Sequence, residues 1–203
     1  MSAPRLFSAL RRCFILLVLP ALALSLVGCA HPLSLSPNLG SLAGSGSNKI
    51  DKRVGLVITQ ADRELEVTTP GGGGDSVRYF PYRDLEPALY LALSESFASV
   101  TRLATVTDPK VAAESLSYVV RPSLKTTSFS DSLLTWPPTL FTIEVVAQLN
   151  DPTGKLVAEV RVMGEGRASF SEFKGQPGLA ANRAAEDAVK KLIQALGTAS
   201  ALR

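Results

Sequence analysis

Two alternating runs in the second half of the chain constrain the fold most. In residues 141–149 and again in residues 155–163, apolar side chains occupy every second position. The turn between them contains Pro152, which fixes its own φ, and Gly154, which accepts a positive φ. Two alternating runs around such a turn predict an antiparallel hairpin with one apolar face.

Two other segments carry apolar side chains at helical spacing. In residues 84–100 these side chains are Leu85, Leu89, Leu93 and Phe97. We expect Asp84 to be the N-cap of this helix, with Pro87 in its first turn. Residues 178–196 carry a second, alanine-rich stripe, and Gly197 is the expected left-handed C-cap. Both stripes predict helix faces that pack against a sheet.

Three further segments are typical of strands. Residues 53–59 are β-branched and almost continuously apolar, which predicts a strand buried on both faces and central in its sheet. Alternation within residues 65–77, on both sides of the glycines at 71–74, is compatible with a hairpin. Residues 118–125 predict another strand, in which Pro122 favours an edge position or a bulge because it cannot donate a hydrogen bond.

The order of these elements is strand, helix, several antiparallel strands, helix. It predicts an α+β fold, namely a two-layer sandwich of one mostly antiparallel sheet with two helices on one face. We expect a single domain over residues 53–197, about 145 residues, which is enough to bury a large core. Residues 198–203 would form a tail. No cysteine follows Cys29, so the domain must be stabilised by packing and not by disulfides.

The folded part offers few residues for catalysis. His31 is the only histidine and precedes the predicted domain, so we expect neither a Ser–His dyad nor a His-rich metal site. The glycines at 71–74 lead to Asp75 and lack the Lys and Ser or Thr of a phosphate loop, so nucleotide binding is not expected. We therefore expect a protein that is not an enzyme and that uses no cofactor or metal.

Residues 130–141 form the most informative connection, because they carry the only tryptophan, Trp136. The apolar residues beside it are Leu133, Leu134, Leu140 and Phe141. Apolar loop residues on a sheet often bind, and tryptophan favours membrane boundaries and protein interfaces. Two interpretations stay open: a docking patch for a partner or for the inner leaflet of the membrane, or a loop that closes the end of the core.

The N-terminus has the pattern of an export signal. Arg5, Arg11 and Arg12 precede an apolar run over residues 14–27, which is shorter than the roughly 20 residues of a spanning helix. Its end reads Leu26, Val27, Gly28 and Cys29. This quartet resembles the cleavage box of bacterial lipoproteins. Arg11 and Arg12 also resemble a twin-arginine signal, so the export route stays open between Sec and twin-arginine transport.

The lipoprotein resemblance implies removal of residues 1–28 and acylation of Cys29 by a diacylglycerol thioether and an N-acyl group. Ala30 follows the cysteine where an aspartate would retain the protein, which in Gram-negative lipoproteins implies an outer-membrane location facing the periplasm. Residues 29–52 are rich in glycine, serine and proline and predict a flexible, lipidated tether.

Charge in the mature chain is balanced. Of the 21 Lys and Arg residues, three precede Cys29, which leaves 18 against 18 Asp and Glu. A neutral body gives no support for nucleic-acid binding.

With the cleavage box, the element order over residues 53–197 and the alanine-rich last helix, the chain resembles small α/β outer-membrane lipoproteins. These serve envelope transport and polysaccharide or lipopolysaccharide assembly, and their domain resembles the N-terminal domain of TolB. The resemblance implies a non-catalytic, membrane-tethered module that self-associates or binds a larger envelope complex. Two alternatives remain: a small-ligand or lipid carrier or enzyme, which would need a deep pocket, and a structural lipoprotein without a dedicated partner.

Overall fold

The computed structural model describes residues 30–44, 49–173 and 175–203. The cleavage-box residues Leu26, Val27 and Gly28 and the acylation residue Cys29 lie outside these ranges. The elements in chain order are β1 (Ala30–Pro32), a 3-10 turn (Leu39–Ser41), β2 (Ile50–Val57), α1 (Gln60–Glu64), β3 (Val67–Pro70), β4 (Ser76–Tyr79), α2 (Pro81–Ser96), β5 (Phe97–Leu103), α3 (Lys110–Ala113), β6 (Tyr118–Phe129), β7 (Leu140–Asn150), β8 (Leu156–Arg167), α4 (Leu179–Thr198) and a second 3-10 turn (Ser200–Leu202).

A five-stranded sheet with the order β5-β2-β6-β7-β8 forms the centre of the fold. β2 runs parallel to both of its neighbours, and residues 54–57 are all buried, which confirms the predicted central strand. β7 and β8 form the predicted hairpin. β6 is an interior strand and not an edge strand, but its pairing with β2 ends at Val120. Pro122 therefore lies where that side of the strand has no ladder to interrupt.

Helices α2 and α4 cover one face of this sheet, as predicted. The approach of α4 to β8 is close because β8 carries glycine where it crosses the helix. A Cβ atom at Gly164 would lie 2.2 Å from the carbonyl oxygen of Ala184, and one at Gly166 would lie 2.0 Å from that of Ala180. Small residues on both elements therefore bring the backbones together, which explains the alanine-rich stripe of α4.

The helix ends differ from the predictions. α2 begins at Pro81, whose fixed φ suits the first helical position, so Asp84 is not the N-cap. α2 ends at Ser96, and Phe97 starts β5 because strand pairing with β2 competes with one more helical turn. α4 continues through Gly197 to Thr198, so this glycine is not the left-handed cap.

The second sheet was not predicted as a separate unit. Its order is β1-β4-β3, with the expected hairpin between β3 and β4 and with β1 parallel to β4. The α+β class and the two helices on one face are confirmed. The single, mostly antiparallel sheet is corrected to two sheets, each of which mixes parallel and antiparallel pairs.

Residues 30–44 lie on the domain, which corrects the flexible tether predicted over residues 29–52. Leu33, Leu35 and Leu42 are buried in the main core. The backbone N–H of Ser36 donates to Oδ1 of Asn182 on α4 over 2.7 Å. Burial of leucine side chains outweighs the flexibility that glycine and serine give such a segment.

Both limits of the predicted domain also change. β2 starts at Ile50, and β1 at Ala30–Pro32 is also part of the fold, so the domain includes residues before residue 53. At the other end, Leu202 is fully buried, so residues 198–203 are not a free tail. The guanidinium of Arg203 donates to the carbonyl of Gly197 over 2.8 Å and holds this end in place.

Candidate interaction surface

The loop of residues 130–139 between β6 and β7 is bound to the glycine turn between β3 and β4. The backbone N–H of Gly72 donates to the carbonyl oxygen of Trp136 over 2.9 Å. The N–H of Gly73 donates to the carbonyl oxygen of Ser132 over 3.0 Å. These two bonds connect elements far apart in sequence and fix the position of the loop.

Glycine is required in this turn because the loop backbone lies directly against it. A Cβ atom at Gly71 would lie 2.5 Å from the carbonyl oxygen of Trp136, and one at Gly72 would lie 2.0 Å from that of Thr135. Both distances are shorter than a carbon–oxygen contact allows. The glycines of this turn therefore form a close-fitting seat for the loop.

The tip of the loop is held by the side chain of one serine. Oγ of Ser132 accepts hydrogen bonds from the backbone N–H groups of Leu134 and Thr135 over 3.3 and 3.2 Å. The hydroxyl of Thr135 donates to the same atom over 2.7 Å. Such serine turns order a loop without regular structure. Here the turn leaves the side chains of Leu133 and Leu134 87% and 94% exposed.

Trp136 is half-buried and connects the loop to β1 through a contact with His31. Its ring stacks on the imidazole of His31, with centroids 4.4 Å apart and an interplanar angle of 15°. Nε2 of His31 lies 3.0 Å from Oδ2 of Asp75. The sequence predicts His31 in a flexible tether, whereas in the structure it lies in β1 and contacts both Trp136 and Asp75.

The predicted docking patch is therefore divided by the structure. Phe141 is completely buried and packs edge-on against Tyr79, with centroids 5.4 Å apart, so it is a core residue and not part of any surface. Leu140 is half-buried. Leu133 and Leu134 are exposed. The loop thus closes the core with one part and presents leucines to the outside with another.

Two exposed phenylalanines at the same end were missed. Phe129, the last residue of β6, is 58% exposed and pairs with Leu140, which pairs in turn with Arg167 at the end of β8. Phe170 follows β8 and is 69% exposed. We call Phe129, Leu133, Leu134 and Phe170 the apolar end of the domain. The alternation of β6 could have placed Phe129 on its outer face, but nothing local indicates Phe170.

A chain of hydroxyl groups connects the small sheet to β6 beneath this end. The hydroxyl of Tyr79 donates to Oγ1 of Thr126 over 2.7 Å and lies 3.2 Å from Oγ1 of Thr69. Ser128 donates to Oγ1 of the same Thr69 over 2.6 Å. Burial raises the pKa of Tyr79, and its hydrogen bonds offset this only in part.

The opposite end of the large sheet carries both polar and apolar side chains, among them Val106 and Leu156, which are 49% and 51% exposed. There the turn of residues 151–154 joins β7 to β8, and an open groove of about 230 Å³ lies between it and residues 106–107. Along the face opposite the helices, charges pair across strands, as in the contact of 2.6 Å between Arg161 and Glu144. Exposed pairs of this kind contribute at most about 1 kcal/mol.

One small cavity lies in the described part of the core. The cavity between the helices and the large sheet, bounded by Leu89, Val145 and Leu192 among others, has only about 10 Å³, about the space of one water molecule. Within the described ranges, no three His, Cys, Asp or Glu side chains come close enough to hold a metal ion. None of the described helices combines the length and apolar character that crossing a membrane requires.

A partly buried ion pair joins α1 to α2. Nε and Nη2 of Arg63 on α1 donate to the two carboxylate oxygens of Glu86 on α2 over 2.7 and 2.9 Å. The hydrogen bonds from this guanidinium lower the pKa of Glu86, and the nearby charge of Arg102 adds to the effect. The pair holds the short helix α1 against the longer helix α2.

No protein-family model matches the chain, and no curated protein matches it. Among solved structures it is similar to a DUF330 protein from Xanthomonas campestris, with 12% identity and a TM-score of 0.42 over 84% of this chain and 93% of that one.

Two further similar structures are a candidate lipoprotein from Caulobacter crescentus and PelC from Paraburkholderia phytofirmans, solved as a dodecamer. For the first the identity is 17% and the TM-score 0.34, over 64% of this chain and 85% of that one. For the second they are 13% and 0.38, over 70% and 92%. These similarities are too distant to assign the chain to a family.

Proposed function

We propose that this chain is a lipid-anchored outer-membrane lipoprotein whose body faces the periplasm and acts as a non-catalytic binding or assembly module of an envelope complex. One observation carries the proposal: the box Leu26-Val27-Gly28-Cys29 ends directly before Ala30, the first residue of β1. The acylated residue would therefore be bonded to a strand of the folded domain.

The acyl chains on Cys29 would attach the protein stably to the membrane. Each buried methylene group contributes about 0.8 kcal/mol, and a single acyl chain holds a protein only reversibly. A thioether-linked diacylglycerol and an N-acyl group on Cys29 would supply three chains. The domain would then stay at the membrane without any spanning helix.

A binding role is supported by the exposed surface of the large sheet. The strands β6 to β8 expose a charged face on the side away from the helices. Such a face suits reversible contact with another envelope protein or with a second copy.

The anchor is tested by mass spectrometry and fractionation of the full chain expressed in a Gram-negative host. We expect a mature protein that begins at Cys29, carries three acyl chains and is recovered with outer membranes. Cys29→Ser should abolish both the acyl mass and the processing. A wild-type protein with an unmodified thiol, or an intact precursor in the cytosol, contradicts the proposal.

The binding role needs a separate experiment. Cross-linking of the acylated protein in intact envelopes, followed by affinity purification, should recover a stoichiometric partner or a defined oligomer. Recovery of the monomer alone, at native expression level and with efficient cross-linking of a known envelope complex in the same cells, would favour the structural alternative.

A further inference from the structure

We infer that the loop of residues 130–139 is a second membrane contact, in which Leu133 and Leu134 enter the leaflet that holds the acyl chains of Cys29. The inference rests on the proposed lipid anchor. It adds a defined orientation, because two points of contact fix which end of the domain faces the bilayer.

The position of β1 fixes where the anchored chain would leave the domain. β1 is parallel to β4, and Ala30 pairs with Ser76 at the start of β4. The N-terminal end of β1 therefore lies beside the glycine turn that precedes β4. Cys29 is one residue from Ala30, about 3.8 Å between Cα atoms. No free tether separates the acylated residue from this turn.

The loop of residues 130–139 is bound at the same place. Gly72 and Gly73 of the turn donate to loop carbonyl groups, and the ring of His31 stacks on Trp136 at 4.4 Å. His31 is two residues from Cys29. The loop therefore lies within a few residues' length of the lipid headgroups whenever the acyl chains are inserted.

The tip of the loop suits an apolar environment. Leu133 and Leu134 are 87% and 94% exposed, and no ionisable side chain occurs from residue 132 to residue 143. Hydrogen bonds to Oγ of Ser132 satisfy the N–H groups of Leu134 and Thr135. These two N–H groups would therefore stay hydrogen-bonded if the tip inserted into lipid, where each unpaired backbone group costs free energy.

The position of the tryptophan and the phenylalanines agrees with this orientation. Trp136 follows the leucines by two residues, and an amphipathic ring of this kind favours the headgroup region. Phe129 directly precedes the loop and Phe170 is three residues past the end of β8, and they are 58% and 69% exposed. The turn of residues 151–154 lies at the other end of β7, eleven residues away, or about 36 Å at 3.3 Å per residue. That end would remain free for a partner.

The absence of other cysteines in the mature sequence allows a direct test. In the acylated full chain, Leu134→Cys provides the single reactive thiol for an environment-sensitive NBD label, because Cys13 lies in the removed segment and Cys29 is blocked. Leu156→Cys is the matched control: it replaces a leucine that is 51% exposed at the opposite end. Both proteins are reconstituted in phosphatidylethanolamine–phosphatidylglycerol vesicles, with or without nitroxide-labelled phosphatidylcholine.

We expect the label at position 134 to shift its emission to the blue and to lose most of its intensity when nitroxide lipid is present, and the label at position 156 to do neither. Equal, weak quenching at both positions, with acylated Cys29 in the mass spectrum, overturns the inference and leaves the anchor intact. A label at 134 that is shielded before vesicles are added, through association of copies, also overturns it. An unmodified Cys29 overturns the anchor and the inference together.

Discussion

Replacement of Gly72 by alanine tests how the loop is seated. The added Cβ atom would lie 2.0 Å from the carbonyl oxygen of Thr135 and 2.7 Å from Oγ of Ser130. The loop must therefore move away from the turn. We expect this movement to break the hydrogen bond of 2.9 Å between the N–H of Gly72 and the carbonyl oxygen of Trp136.

The size of the effect follows from what the seat contributes. A lost hydrogen bond costs about 0.5–1.5 kcal/mol, and overpacking of a close contact costs about 1–3 kcal/mol. Because the loop can lift instead of straining the sheet, we expect a total near 2 kcal/mol, within these ranges. For a domain of this size, that corresponds to a fall in Tm of about 4–8 °C.

Trp136 reports the movement directly, because it is the only tryptophan in the chain. In Gly72→Ala we expect its emission to shift to the red and its quenching by acrylamide to increase. Gly74→Ala is the control: its φ is +86° and nothing lies within 4 Å of the added Cβ atom, so it strains the turn without touching the loop. Unchanged emission and unchanged Tm in Gly72→Ala would refute the seat.

Three further predictions concern the scaffold. Gly164→Ala should lower the free energy of unfolding, measured by urea titration, by about 1–3 kcal/mol because β8 must separate from α4. Gly197→Ala has free space around the added Cβ atom and should raise the free energy of unfolding by about 0.5–1 kcal/mol. Equal effects of the two substitutions would contradict the close approach of β8 to α4. Burial raises the pKa of Tyr79 in the folded state. The stability of the wild type relative to Tyr79→Phe should therefore be constant below about pH 10 and fall as the pH rises through the folded-state pKa. Urea midpoints that stay parallel for the two proteins up to high pH would contradict this prediction. Hydrogen bonds from Arg63 lower the pKa of Glu86 in the folded state. The higher stability of the wild type relative to Glu86→Gln should therefore be present above about pH 4.3 and shrink as the pH falls through the lower folded-state pKa. A stability difference that persists at pH 2 would show that the charge of the carboxylate is not its source.

The structure also changes how the N-terminal segment is understood. Its glycines and serines indicated a linker, but three leucines without regular spacing are buried in the main core, and the neighbouring backbone is hydrogen-bonded to α4. A segment of this kind has no periodic signal, because its partner is a surface built by other elements. The short distance between Ala30 and the glycine turn is the basis for a fixed orientation at the membrane, and a free tether would have removed it.

The division of the predicted docking patch has a similar cause. Five apolar residues in one stretch indicated a surface that binds, and the sequence left open whether the loop docks or closes the core. The register of β7 turns Phe141 inward, and the glycine turn holds Trp136 half-buried. Both outcomes depend on pairing with residues far away in the chain, which the local pattern does not contain.

By itself, the sequence determined the elements that have a repeating apolar pattern: the hairpin of β7 and β8, the central strand β2 and the two helices whose stripes cover the sheet. These patterns suffice because burial of one face requires a period of two or of 3.6 residues. Only the tertiary structure decided where α2 ends and β5 begins and that residues 30–44 pack on the domain. It also decided that the loop of residues 130–139 packs against the glycine turn beside Ala30. Those features arise from contacts between distant residues, whose fit depends on shape and has no period along the chain.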